Sequence, residues 1–134
     1  MKPSLLDTDI LSAFLKDNPN VVAKVTEHVN EHGFISLSII TYYEMLNGLL
    51  YKDARKQLTH FNKFVELNKV LPLTIRTAKI AAGIQADLRK KGTEIGHTDT
   101  LIAGIAIASN LQLISNNTAH FERIKQLDLA NWLK

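Results

Sequence analysis

The run from Leu101 to Ala108, Leu-Ile-Ala-Gly-Ile-Ala-Ile-Ala, carries no polar side chain and follows directly on Ile95-Gly96-His97-Thr98-Asp99-Thr100. A helix that is apolar all round needs neighbours all round, so this segment predicts a central helix enclosed by other layers. Its first turn nevertheless holds a carboxylate, Asp99, beside His97 and Thr98 as candidate N-caps. The helix dipole favours a first-turn acid by roughly 0.3–1 kcal/mol, which accounts for the residue without any chemistry. At the rim of a core, however, a carboxylate needs a partner, and no Lys or Arg adjoins Asp99 in sequence.

The remaining segments alternate between short apolar runs and helical periodicity. Pro3 to Leu6 predicts a buried strand ending at Asp7-Thr8-Asp9, with a helix following from Ile10 through Leu11, Phe14 and Leu15. A second helix, with Val21, Val22, Val25 and Val29 on its apolar side, stops near His32-Gly33. Phe34 to Leu37 reads as a strand, and Ser38 as the cap of a helix over 39–51 whose expected core face is Tyr42, Tyr43, Leu46, Leu49 and Leu50. Glu44 lies on the flank of that face with Ile40, Thr41, Asn47 and Gly48. A tight turn leads into a basic amphipathic helix over 54–68, packed through Leu58, Phe61, Phe64, Val65 and Leu67. Val70 to Leu73 predicts a strand, Thr74 caps an Ala-rich helix stopped by Gly92, and Leu111 to Ser115 gives a fourth strand followed by Asn116-Asn117-Thr118. Phe121 and Ile124 are expected to pack behind that loop, and 127–133 to add a last strand or cover.

Strands alternating with helices at this spacing predict an α/β fold in one domain over 1–134: a mostly parallel sheet of roughly four to five short strands flanked by helices. In such sheets the ligand crevice lies outside the C-terminal strand ends, where Asp7 and Asn117 both fall. A net charge of +3 permits a polyanionic partner without requiring one. Lys52, Arg55, Lys56, Lys63 and Lys69 cluster on one stretch, whereas Arg89 to Lys91 closes a helix and complements its dipole. The chain contains no Cys, which excludes disulfides and thiolate metal sites and suits the cytoplasm. No apolar run approaches the roughly 20 residues of a membrane span.

Asp7, Asp99 and Asn117 would meet one crevice, with Glu44 approaching from a helix flank. Crowded carboxylates repel and raise one another's pKa, and a shared divalent cation relieves that. An all-oxygen donor set suits magnesium, with manganese as a substitute, over zinc; His97 and His120 lack zinc-site spacing and are expected to ligate no metal. Such a cation binds phosphoryl oxygens and orients water for in-line displacement, which makes phosphodiester hydrolysis the natural reaction. No Gly-rich phosphate loop is present.

The order of four motifs, Leu5-Leu6-Asp7-Thr8-Asp9-Ile10, Thr41-Tyr42-Tyr43-Glu44-Met45-Leu46-Asn47-Gly48, His97-Thr98-Asp99-Thr100-Leu101-Ile102-Ala103 and Ile114-Ser115-Asn116-Asn117-Thr118-Ala119-His120-Phe121, resembles the PIN-domain family, and within it the VapC-type toxins. The resemblance covers essentially the whole chain. It implies a three-layer PIN-like fold and a magnesium-dependent endoribonuclease, the toxin of a type II toxin–antitoxin pair, homodimeric and silenced by a cognate antitoxin. Carried over by position, Asp7, Glu44 and Asp99 would be catalytic metal ligands and Asn117 a further catalytic residue, with Asp9, Ser115 and Thr118 in support. Asn117 departs from the family pattern, since many relatives have a fourth acid there. The alternative is therefore a PIN-like module that binds RNA or protein without cleaving it. Asp7-Thr8-Asp9 after a strand also resembles the nucleophile loop of haloacid-dehalogenase-like phosphatases, but Asn116-Asn117 is not the acidic motif that family needs.

Overall fold

The computed structural model describes residues 1–134. Five strands, β1 (Ser4–Leu6), β2 (Ser36–Ser38), β3 (Lys69–Leu71), β4 (Gln112–Ile114) and β5 (Leu129–Ala130), form one sheet in the order β3-β2-β1-β4-β5, with every pair parallel. Seven helices connect them: α1 (Thr8–Leu15), α2 (Pro19–His32), α3 (Ile39–Tyr51), α4 (Arg55–Leu67), α5 (Ile75–Lys90), α6 (His97–Ala108) and α7 (Thr118–Phe121). No helix is long and apolar enough to cross a membrane.

Period-two alternation divides the core into two layers. Leu6, Leu37 and Ile114 face one side and pack with Leu11, Val25, Met45, Phe61 and Phe64 from α1 to α4, closed by Trp132. Leu5 and Leu113 face the other and meet Ile84, Leu88, Ile102, Ile105 and Phe121 from α5, α6 and α7. A strand apolar on both faces belongs inside a three-layer α/β fold, and β1 and β4 lie next to each other at the middle of the sheet. The α6 helix, apolar all round, is the most enclosed: Ile102 to Ala106 are all buried. At Gly104 a Cβ would stand 2.9 Å from the Thr77 carbonyl and 3.0 Å from the Ala81 Cβ, so its absence lets α5 and α6 approach closely.

Local details differ from the sequence expectations for identifiable reasons. The first helix starts at Thr8 rather than Ile10, because the Asp7 carboxylate accepts the Thr8 N–H and caps it. Gly96, not His97 or Thr98, is the α6 N-cap, and no side chain caps that helix. On α3 the buried residues are Thr41, Met45 and Leu49, with Tyr43 and Leu50 exposed, since a single sheet face receives a narrower stripe than five large residues span. Leu67, at the end of α4, is likewise exposed. Pro72 and Leu73 lie beyond β3, while the Thr74 cap is reinforced by a reciprocal bond with Thr77.

Candidate active site

The strand order reverses direction between β1 and β4: from β1 the chain builds outward to β2 and β3, then returns to place β4 and β5 on the opposite side. Their C-terminal ends bound the crevice where open parallel sheets bind ligands. The ladder continues one residue past β1, with the Asp7 N–H donating to the Ile114 carbonyl at 2.9 Å. Asp7 is therefore fixed by backbone, and its side chain turns into the crevice. The residue is only 6% exposed. Its Oδ1 accepts the Thr8 N–H at 2.8 Å, and its Oδ2 accepts the Ser115 hydroxyl at 2.7 Å. Ser115, fully buried after β4, accepts the Asn117 N–H at 3.0 Å through the same oxygen, so one serine ties the β4 loop to Asp7.

Asp9, in the first turn of α1, reaches across the same edge: its Oδ2 accepts the Asn116 N–H at 3.0 Å, whereas its Oδ1 is buried and has no partner. Glu44 projects from α3, and its Oε1 accepts the Thr8 hydroxyl at 2.7 Å, so Thr8 links Asp7 to Glu44 through its backbone and side chain. Thr41 stands 3.1 Å from the same hydroxyl. Asp99 comes from the N-terminal turn of α6. Its side chain is 22% exposed, and its Oδ2 lies 3.4 Å from both Asn117 Nδ2 and His120 Nδ1. Asp99 lies in the first turn of α6, where the helix dipole favours an acid, and it makes no capping hydrogen bond.

The electrostatics follow from this crowding. Burial, aided by the charges of Asp9 and Asp99 and opposed by the Ser115 and Thr8 hydrogen bonds, pushes the Asp7 carboxyl from 3.8 up to about 7. Burial also raises Asp9, against the hydrogen bond from Asn116 and with the Asp99 charge adding to it. No Lys or Arg pairs with Asp7, Asp9, Glu44 or Asp99; the one partner of this kind is His120 beside Asp99. No three His, Asp or Glu side chains are grouped tightly enough to make a finished cation cage. The donor set, the orphaned Asp9 oxygen and the raised carboxyls are nonetheless those of a site whose missing charge is positive.

Asp7, Asp9, Asp99, Ser115 and Asn117 are thus brought to one crevice, with Glu44 joined through Thr8. Thr118 is not: it opens α7, its hydroxyl makes no hydrogen bond, and it lines a separate groove with Phe121, Glu122 and Asn131. His97 is exposed on the α5–α6 side. Three contributors, Thr8, His120 and Lys16, were not anticipated from the sequence. Thr8 bridges two acids. His120, one helical turn after Asn117, meets both Asn117 and Asp99, a placement its i, i+3 spacing signals. Lys16 and Lys52 flank Glu44 in a cavity of about 110 Å³ with Ser12, Gly48 and Gln57.

Residues 4–127 match the PIN domain. The chain belongs to the PIN-domain family. Within it the similarity lies with VapC proteins: the chain is 28% identical to ribonuclease VapC2 of Rickettsia felis, over 97% of this chain and 98% of the relative. It is 31% identical to the tRNA(fMet)-specific endonuclease VapC of Shigella flexneri, over 96% of each. Among solved structures, VapBC from Salmonella typhimurium bound to DNA superposes with a TM-score of 0.88 at 28% identity, covering 98% of this chain and 99% of that one. VapBC2 from Rickettsia felis bound to a promoter DNA fragment gives 0.86 at 27% identity, covering 96% and 98%. The five-stranded parallel fold is that of VapC, and these PIN-family relatives are toxins of toxin–antitoxin systems.

Proposed function

We propose that this VapC-family chain is an endoribonuclease that hydrolyses RNA phosphodiester bonds with magnesium, or manganese in its place, held by Asp7, Glu44 and Asp99. The observation that carries this reading is the convergence of Asp7, Asp9, Glu44 and Asp99 at the sheet's switch point with no Lys or Arg partner, Asp7 being pushed up to about 7 by burial and by the charges of Asp9 and Asp99. A surface built only to bind RNA would not gather carboxylates where phosphates must approach. A bound divalent cation supplies the charge that stabilises the phosphoryl oxygens and lowers the pKa of an attacking water.

The chain's own residues do the rest. Thr8 and Ser115 aim the two Asp7 oxygens, and the Thr8 hydroxyl aims Glu44. Asp9 pins the loop at Asn116 and thereby holds Asn117 over the crevice. The Asn117 amide, neutral where many relatives carry an acid, orients water by hydrogen bonding. Lys16 and Lys52 beside Glu44 bind the RNA backbone, and the exposed bases Arg55, Lys56, Lys63 and Lys69 extend that surface or meet a partner. The described partners of the relatives support a cognate antitoxin, and the reading places a homodimeric toxin in the cytoplasm.

The test is cleavage of a cellular RNA pool by purified, antitoxin-free protein with and without magnesium or manganese, alongside Asp7→Asn and Asp99→Asn checked for folding. Cleavage that needs the cation and is lost in both variants supports the assignment. Silence from wild type and variants alike, with no cation bound, favours the binding-module alternative.

A further inference from the structure

Asp99 Oδ2, the Asn117 side-chain nitrogen and His120 Nδ1 form a triangle with edges of 3.4, 3.0 and 3.4 Å. Donors placed about 2.1 Å from a cation in octahedral geometry stand about 3 Å apart when adjacent, so the triangle has the dimensions of one octahedral face. One ring tautomer gives the triangle a defined polarity. With Nδ1 unprotonated, the two N–H groups of Asn117 Nδ2 point one to Asp99 Oδ2 and one to His120 Nδ1, which then presents a lone pair. A carboxylate lone pair and an imidazole lone pair therefore already converge on one positively polarised group. Rotating the amide by half a turn about its Cβ–Cγ bond would put its oxygen in the same place and leave three lone pairs directed inward.

The His120 ring makes no hydrogen bond outside this triangle. At 43% exposure its side chain adds little to the core, and the 3.4 Å separation from Asp99 exceeds that of a strong charge-assisted bond. We propose that His120 Nδ1 is a nitrogen donor to the divalent cation beside Asp99, with Asn117 Oδ1 completing the face, and that this chain consequently prefers manganese to magnesium. The inference rests on the metal-dependent reading above. Its basis is ligand type: carboxylate and amide oxygens serve either ion, whereas imidazole favours first-row transition metals over magnesium.

Manganese is titrated into the full chain, and pulsed electron paramagnetic resonance reads nitrogen coupling to the bound ion, in wild type, His120→Gln and His97→Gln. Competition with magnesium gives the ratio of the two affinities, and circular dichroism checks each variant's fold. Imidazole nitrogen coupling in wild type and His97→Gln, absent from folded His120→Gln, with a several-fold loss of manganese preference, is the expected result. Manganese bound through oxygen alone, or nitrogen coupling that survives His120→Gln, overturns the assignment and leaves the metal-dependent reading intact. Failure of both ions to bind overturns this assignment and the metal-dependent reading together.

Discussion

Replacing Asp7 by Asn should make the metal-free protein more stable at about pH 8 and abolish the activity proposed for it. In the unfolded chain this carboxyl titrates at its ordinary 3.8, and in the fold at about 7. Below 3.8 both states hold the proton and the residue costs nothing. As pH rises from 3.8 to 7 the unfolded chain releases its proton while the fold retains it, so stability falls, and above 7 the loss is complete. At roughly 1.4 kcal/mol for each tenfold change in proton affinity, the penalty at about pH 8 is about 4 kcal/mol. Asn keeps the volume and the Oδ1 acceptor for Thr8, but its Nδ2 cannot accept the Ser115 hydroxyl, a loss of about 1 kcal/mol. The net gain is about 3 kcal/mol, or a Tm higher by about 10 °C for a chain of this size. Urea unfolding of both proteins in a chelator, between about pH 4 and pH 8, measures it: the curves should converge near pH 4 and separate as pH rises. Added magnesium should then stabilise the wild type by mass action and leave Asp7→Asn unmoved. Parallel stability–pH curves for the two proteins would refute the attribution of this strain to a buried charge.

The same physics sets three further outcomes. Ser115→Ala removes the hydroxyl that lowers the Asp7 proton affinity, so carbon-13 titration of Asp7 in the metal-free variant should give a pKa above about 7. His28 is buried, with its Nε2 accepting the Ser4 N–H and its Nδ1 donating to the Phe34 carbonyl, and burial lowers its pKa from 6.5. Its stabilising contribution is therefore complete above 6.5 and lost as pH falls toward the folded value, a slope in urea midpoints that His28→Gln should flatten. Gly104→Ala would drive a Cβ onto the α5 backbone at Thr77 and Ala81, and should cost roughly 1–3 kcal/mol by denaturation even though Ala is the better helix former.

The positions of the acids were legible because each stands at a punctuation mark: Asp7 where an apolar run stops, Asp99 where one begins, Asn117 just past the fourth strand. Spacing along one chain also predicted parallel strands. It could not supply the pairing order, and so could not show that Ser115 and Asp7, 108 residues apart, share a hydrogen bond. Helix faces were less legible. Tyr43 and Leu50 have core chemistry but face outward, because burial on α3 is decided by the neighbours it meets and not by its own apolar content. Thr8 was hidden for the opposite reason: a threonine at a helix start has an ordinary capping explanation, yet here Asp7 is the cap and the threonine is left to hold Glu44.

The neutral character of Asn117 follows from the load already on the crevice. Asp7 carries the cost of burial together with the charges of Asp9 and Asp99, and nothing cationic on α1, α3 or α6 offsets it. A fourth carboxylate at position 117 would stand 3.4 Å from Asp99 and within the same hydrogen-bonded loop as Ser115, adding repulsion that only a bound cation could relieve. An amide keeps the oxygen donor while letting its N–H groups satisfy Asp99 and His120 when the cation is absent. The fold is thereby less dependent on metal than an all-acid crevice would be, and Asn117→Asp should widen the stability difference between metal-free and metal-loaded protein. Thermal unfolding of that variant with and without manganese measures the difference, and an unchanged gap would mean that position 117 lies outside the field of the bound ion.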